Sequence, residues 1–386
     1  MLEKLKWGAV IAVSMVLGGA LVVGINGLDS DDDGSSSNTT AMATASPSAD
    51  VESTATTTPP VEMVSHTIPS EVADLYEQAR PSVVRINAQS ENINAGGVGS
   101  GIVLDTEGHI LTNYHVIENF ELIDVVLADG TVGSAAVVGT DPGNDLAVLK
   151  ADISSDLLTP ATFGDSDAIR PGEFVMAVGN PFDLEGSVTE GIVSGIGRSL
   201  EGGTGRPLRQ LIQSDAAINP GNSGGALFNA AGEVIGITTA IENPSGDRVF
   251  VGIGYAVPSN VATRFLPRML AGETVEHPQL GVALAEDPVT PAIAADLGLD
   301  VDHGVLIARV APGTGADQAG LRGGTNSQGE VTGDVIVRLD NEEVRDFDDL
   351  ANYIDSKNVG DTVDVVVVRD GSEVTIPVTL SAWQSS

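Results

Sequence analysis

The sequence predicts a mainly β protein with two folded units: an all-β barrel or sandwich over residues 70–272, then a smaller α/β unit over 276–382. Three observations carry that expectation. Short β-branched runs such as SVVRINA, GSGIVLD, DVVLADG, FVMAVGN and EVIGITTA recur between Gly, Asp and Pro through the first region, the pattern of many short strands. Past residue 276, strand-like GVALA, GVLIARV and DVIVRLD alternate with helix-like TPAIAADLGL, GADQAGLRG and FDDLANYIDS. Residues 1–69 match neither pattern: an uncharged, mainly apolar run from Trp7 to Leu28 is followed by a low-complexity stretch.

Taken in order, residues 1–28 come first. No charge lies between Trp7 and Leu28, and about 20 apolar residues suffice to span a bilayer as a helix. Lys4 and Lys6 precede the run, and Asp29, Asp31, Asp32 and Asp33 follow it. That asymmetry keeps the N-terminus cytoplasmic and sends the rest outward. No clear A-x-A cleavage site follows the apolar run, which is longer than a usual signal-peptide core, so a single-pass anchor is expected; a cleaved signal peptide, releasing a secreted chain, is the alternative. Residues 29–69 are Ser, Thr, Pro and Asp-rich and cannot bury enough apolar surface to fold. They read as a disordered tether.

In the first β-rich region, helical pattern is confined to the edges, EVADLYEQAR and SNVATRFLPRML. The last unit closes with DTVDVVVV and EVTIPVTL joined through Asp370-Gly371, a strong hairpin signal. At 386 residues and 42% hydrophobic content, the chain can build two or three cores.

Composition excludes several functions. With 54 acidic residues against 18 basic ones, the formal charge is −36, and nucleic-acid binding needs a basic face. Only four of the basic residues are lysine; this suits a high-salt habitat, and an ordinary acidic surface explains it equally well. There is no cysteine, hence neither a disulfide nor a thiolate metal site. No GxxxxGK[ST] phosphate loop occurs, so ATP independence is expected, with no cofactor and no metal.

One stretch points to chemistry. Residues 221–226 read GNSGGA. Glycines allow a tight turn that exposes Ser223 and aims backbone N–H groups at a developing oxyanion. A lone match of this kind is more often a surface turn, so its partners decide. A serine hydroxyl needs a base, and the base needs an acid. Of the five histidines only His109 and His115 lie in the β-rich region. His115 ends the apolar run HILTNYHV, well placed to emerge into a cleft, whereas His109 starts it beside a turn. Asp145 opens the apolar run DLAVLK and is the candidate acid. Asp141, before Pro142, reads as a turn residue, and Asp215 as one that shapes the serine loop. GNSGG also fits the nucleophile elbow of α/β-hydrolases, but those order the residues Ser, acid, His. Here the order is His115, Asp145, Ser223, that of chymotrypsin-like double β-barrels.

LTNYHV, NDLAVLK and DAAINPGNSGGALFN together resemble the three active-site segments of the HtrA (Deg) family of chymotrypsin-fold serine proteases. VGSGIVLD, VMAVGNPF and VTEGIVSGIGR agree, and the match runs nearly continuously over 80–265. The resemblance implies that Ser223 attacks the scissile carbonyl, His115 moves the proton and Asp145 orients His115. It implies an oxyanion hole at Gly221, Asn222 and Ser223, with the donors on Gly221 and Ser223. Ile218, Ile237 and Thr238 are the candidate specificity-pocket residues. No acid lies at the inferred pocket base, so cleavage after small or medium aliphatic residues is expected.

Residues 276–382 resemble a PDZ domain of the same family, with Gln279, Leu280, Gly281 and Val282 as the loop that binds a peptide carboxylate. The stretch TNSQGEVT, 325–332, departs from the family as an inserted surface loop. The family further implies protein quality control outside the cytoplasm, unfolded protein and peptide substrates, C-terminal peptides bound at the PDZ domain, and homotrimers. A non-proteolytic chaperone or peptide-sensing scaffold is the rival class, and an esterase on the same triad a second.

Overall fold

The computed structural model describes residues 70–90, 96–180, 186–200, 202, 205–219, 221–241, 251–297, 299, 301–324 and 333–383. The predicted anchor (1–28), the tether (29–69) and the insertion 325–332 lie outside them. Among the described residues no helix is long and apolar enough to cross a membrane.

After helix α1 (Ser70–Ala79), twelve strands form two closed six-stranded barrels. The first contains β1 (Val83–Gln89), β2 (Gly96–Val103), β3 (His109–Thr112), β4 (Leu122–Val126), β5 (Val132–Asp141) and β6 (Leu146–Ala151). A one-turn helix, α2 (Tyr114–Ile117), interrupts it after β3. The second contains β7 (Phe174–Gly179), β8 (Ser187–Leu200), β9 (Leu208–Ser214), β10 (Ala226–Phe228), β11 (Val234–Ile241) and β12 (Gly254–Pro258). All pairings within the barrels are antiparallel and run in the orders β1-β2-β3-β6-β5-β4 and β10-β11-β12-β9-β8-β7.

The apolar runs are continuous because key strands are buried on both faces. In β6, Ala147 and Leu149 point into the first barrel, while Leu146 and Val148 enter a core shared with the second. In β7, Val175 and Ala177 fill the second barrel, while Met176 and Val178 join the shared core. Leu111 of β3 and Phe228 of β10 lie in the same shared core. Each Val, Leu, Met or Phe among them contributes about 1.5–3 kcal/mol on burial. The barrels are therefore fused along an apolar seam, and the loops at its end are held against each other.

Helix α3 (Ser259–Leu270) follows, packed on β5, β6, β11 and β12. The chain leaving it runs beside β5: Thr140 N–H donates to Glu273 O at 3.1 Å and Val275 N–H to Thr140 O at 2.8 Å. It then enters the C-terminal unit. There β13 (Pro278–Gln279) pairs with β20 (Ser381–Ala382). The main sheet is built from β14 (Val282–Leu284), β15 (Val305–Val310), β16 (Val335–Leu339), β17 (Glu342–Glu343), β18 (Thr362–Arg369) and β19 (Ser372–Thr379). Helices α4 (Pro291–Leu297), α5 (Gly315–Ala319) and α6 (Phe347–Asp355) complete the unit. The β18–β19 hairpin turns through Asp370 (φ 50°) and Gly371 (φ 76°), the two positive angles that a two-residue primed turn requires.

Gly139 marks where α3 seats on the first barrel. A Cβ there would stand 2.2 Å from Met269 O and 2.7 Å from Glu273 O. Gly139→Ala should therefore cost about 1–3 kcal/mol by overpacking, read as a lowered thermal midpoint. An unchanged midpoint would mean that this helix is not seated on β5 as described.

Candidate active site

His115 does not sit at a strand end. Strand β3 stops at Thr112, Asn113 takes the N-cap position, and His115 rides on α2. Its imidazole is half-exposed, and its Nδ1 lies 2.7 Å from Asp145 Oδ2. The His115 backbone N–H also donates to Asp145 Oδ1 at 2.9 Å. Asp145 itself is left-handed, with φ 56° and ψ 44°, a conformation that Asp tolerates better than most residues. Its carbonyl accepts from Asn113 Nδ2 at 2.8 Å and from Tyr114 N–H at 3.1 Å. Thr239 Oγ1 donates to Asp145 Oδ2 at 2.5 Å. The acid thus faces the imidazole with both oxygens engaged. The Thr239 contact lies 94 residues away in sequence, and only its place in a suspected pocket strand hinted at it.

The other candidates take structural places. His109 Nδ1 lies 2.6 Å from Asp105 Oδ2 across a surface turn. Asp141 caps the turn before Asp145, accepting from Asn144 N–H at 3.1 Å and Asn144 Nδ2 at 2.9 Å. Asp215 Oδ1 accepts from Ile192 N–H at 2.7 Å, tying the start of the serine loop to β8.

Ser223 sits in a frame of backbone hydrogen bonds. Asn222 N–H donates to Asn219 O at 2.9 Å, Gly224 N–H to Thr238 O at 2.8 Å and Gly225 N–H to Asn222 O at 2.9 Å. Gly221 (φ 98°) and Gly224 (φ 83°) supply the positive angles. Gly224 must also be bare, since a Cβ would stand 2.2 Å from Ser100 O. No described residue accepts from the N–H of Gly221 or Ser223. The Ser223 hydroxyl donates to Thr239 O at 3.3 Å, and no hydrogen bond joins it to His115. Thr239 therefore touches both the serine and the acid.

A trypsin-like peptidase domain matches residues 99–237 and a PDZ domain matches residues 278–380. A probable periplasmic serine endoprotease DegP-like from Marinomonas sp. is 41% identical over 285 residues, 74% of this chain and 57% of that protein. Protease Do-like 1, chloroplastic, from Arabidopsis thaliana is 38% identical over 319 residues, 79% of this chain and 70% of that protein. The solved HtrA-type protease AlgW with tripeptide superposes with a TM-score of 0.70 at 36% identity, over 82% of this chain and 99% of that one. The chain belongs to the HtrA (Deg) family of serine proteases. It spans about half the length of the bacterial DegP-like relatives that it matches.

Within this HtrA-type frame the pocket residues divide. Ile218 is buried against Gly254, where a Cβ would stand 2.8 Å from Ile218 Cδ1. Ile237 belongs to the shared core between the barrels, and the Thr238 hydroxyl donates to Asn222 O at 2.6 Å. Both therefore brace the serine loop from behind. In the PDZ domain, Leu280 is buried and Gly281 has φ 89°. A Cβ on Gly281 would collide with Thr314 at 2.2 Å. Gln279 Nε2 donates to Ala382 O at 2.8 Å, fixing the start of that loop, and Val282 opens β14, paired with Val310. No described residue accepts from the N–H of Leu280 or Gly281.

The PDZ domain meets the protease domain at the turn that carries Asp145. His277 Nε2 lies 2.6 Å from the fully buried Asp141 Oδ1. Arg206 donates to Gly143 O at 2.8 Å, Asn144 Oδ1 at 3.2 Å and Asp355 Oδ1 of α6 at 2.7 Å. Gln210 Nε2 reaches Asn352 Oδ1 at 3.2 Å. None of these contacts is legible in sequence.

Burial opposes the His115 imidazolium, but the hydrogen bond to Asp145, the Asp145 charge and the Glu118 charge outweigh it and raise the His115 pKa. A base must be neutral to accept a proton, so the acid limb of kcat/KM should fall above pH ~6.5, the ordinary imidazole value. Glu118→Gln removes one raising charge and should move that limb to lower pH; a limb that moves upward contradicts the assignment of His115 as the titrating base. Because the raised pKa favours the protonated folded form, the associated stability is present below pH ~6.5 and fades as pH rises through the folded value.

Proposed function

We propose that the chain is a serine endopeptidase that cleaves unfolded or misfolded proteins without ATP, outside the cytoplasm. The observation that carries this reading is the His115–Asp145 pair, at 2.7 Å, set beside a serine loop whose Gly221 and Ser223 N–H groups have no described acceptor. In this reading Ser223 attacks the scissile carbonyl. A χ1 change swings its hydroxyl from Thr239 O to His115 Nε2, the nitrogen that Asp145 leaves free. His115 takes the proton and returns it to the leaving amine. Asp145 holds the tautomer and stabilises the imidazolium. The two N–H groups stabilise the tetrahedral oxyanion, each worth about 10²–10³ in rate.

The proposed domains are a protease domain over 70–272 and a PDZ domain over 276–382. Ile218 at the inferred pocket base favours small or medium aliphatic residues at the cleaved position. The N–H groups of Leu280 and Gly281, which have no acceptor among the described residues, suit the terminal carboxylate of a peptide added as a strand. Such a peptide would regulate cleavage through α6 and Arg206. The uncharged run 7–28 supports an anchor in the cell membrane, and family membership supports a trimer. Membrane fractionation and sedimentation of the purified protein test these last two readings.

Ser223→Ala should lower cleavage of unfolded casein by more than about 10³-fold; undiminished cleavage by the pure variant removes Ser223 from the mechanism. A parent that suppresses aggregation but never cleaves would favour the chaperone reading. Mapping of peptide cleavage should show Val, Ala or Ile before the cut and a rate that responds to added C-terminal peptides. Cleavage mainly after Lys or Arg would refute the pocket assignment.

A further inference from the structure

Strand β2 crosses behind the serine loop with the sequence Gly99-Ser100-Gly101. A Cβ on Gly99 would stand 2.5 Å from Val116 Cγ1 and 3.2 Å from Ser223 O; one on Gly101 would stand 2.6 Å from Ile110 Cγ2. The strand is therefore bare on that face, which lets its backbone approach the nucleophile. Between the two glycines, Ser100 is fully buried, and every polar group it has is used. Its N–H donates to Ser223 O at 2.8 Å, and its carbonyl accepts from Thr112 Oγ1 at 2.7 Å. Its hydroxyl donates to Gly221 O at 2.7 Å and accepts from Asn180 N–H at 2.9 Å. The direction of the hydroxyl proton is not free. Asn180 N–H can only donate and Gly221 O can only accept.

The consequence lies in the peptide planes. The Gly221–Asn222 plane is held at its carbonyl by Ser100 and at its N–H by Asn219 O. It separates the two N–H groups that have no described acceptor, those of Gly221 and Ser223. Gly221, at φ 98°, has no side chain to resist rotation about its own backbone. The carbonyl pin is what stops that plane from turning. The Ser223 carbonyl is pinned by the N–H of the same Ser100.

We propose that Ser100 is a positioning residue of the reaction: its hydroxyl holds the Gly221–Asn222 peptide so that both oxyanion donors converge, and links it to the backbone of Asn180 beyond β7. The inference rests on the proteolytic reading above. Ser100 does not touch substrate and acts through Gly221. Its loss is therefore felt where the oxyanion develops and hardly at all in ground-state binding.

The test uses the purified full chain, a peptide substrate, and the same peptide made as an aldehyde and as a carboxamide. The aldehyde forms a hemiacetal with Ser223 and places an oxyanion in the site; the carboxamide does not. Ser100→Ala should lower kcat about 10- to 100-fold, less than the ~10²–10³ for deleting a donor outright. KM should stay within about twofold. Affinity for the aldehyde should fall in step with kcat, and affinity for the carboxamide should hold. The acid limb set by His115 should not move. The control is Ser82→Ala, which deletes another buried hydroxyl donating to a carbonyl at 2.7 Å, in the turn before β1; it should keep kcat within about twofold. If Ser100→Ala fails to fold, Ser100→Cys retains the size with a weaker hydrogen bond, and an intermediate kcat is expected. Unchanged kcat in a folded Ser100 variant overturns the proposal. So does a loss that appears equally in KM, in carboxamide binding or in the Ser82 control. Cleavage retained by Ser223→Ala is a separate result, which overturns the proteolytic reading itself.

Discussion

The carboxylate of Asp145 is the constraint on which the site depends. Its backbone is left-handed, which costs an L-residue roughly 1–2 kcal/mol, and the surrounding groups must hold it there. They do so from several elements at once. Asn113 and Tyr114 take the carbonyl, the His115 N–H takes one carboxylate oxygen, and the His115 ring and Thr239 share the other. Behind it, Asp141 folds the preceding turn around Asn144. A carboxylate bound on both oxygens cannot swing away from the imidazole. The Nδ1 edge of the ring is thereby held toward Asp145. Removing any one contact leaves the others to resist the change, so the pairing of acid and base is over-determined rather than dependent on a single bond.

The same logic extends to the two barrels. The loops that bear His115, Asp145 and Ser223 approach one another because β3, β6, β7 and β10 present alternate side chains to a shared apolar seam. The seam supplies cohesion without direction. Direction comes from polar groups at its end, where Ser100 of the first barrel bonds both Gly221 and Ser223 of the second. Apolar burial brings the halves together, and hydrogen bonds across the junction set the atoms.

Much of this could be read from the chain. The strand runs, the Asp370-Gly371 turn and the His115, Asp145, Ser223 order need only local chemistry and spacing. What sequence did not reveal falls into two kinds. Some of it concerns faces. Ile237 lies in a run that is apolar on both sides of β11, and period-two alternation cannot tell a pocket wall from the seam when both are dry. Likewise, HILTNYHV reads as one strand, yet Asn113 breaks it and starts a helix of one turn. The rest concerns long-range polar contacts. Thr239 to Asp145, Ser100 to Gly221 and Arg206 to Asp355 span 94, 121 and 149 residues. No local propensity or motif carries such pairings. They exist because a polar group that burial takes out of water, as it does Ser100, Arg206 and Thr239, must find a partner.

That requirement explains why the PDZ domain bears on the turn that carries Asp145. Asp141 is fully buried and His277 nearly so, and an unpaired carboxylate there would be costly. Asp141 satisfies itself with Asn144 on one side and with His277, from the strap entering the PDZ domain, on the other. Arg206 closes a second path, joining the Gly143 and Asn144 oxygens to α6. A displacement of α6 then cannot leave Arg206 in place without breaking its bond to Asp355, and Arg206 cannot move without releasing Asn144, the residue before the acid. Regulation of the kind proposed needs no long chain of subtle shifts. It needs one buried guanidinium that has a partner on each side.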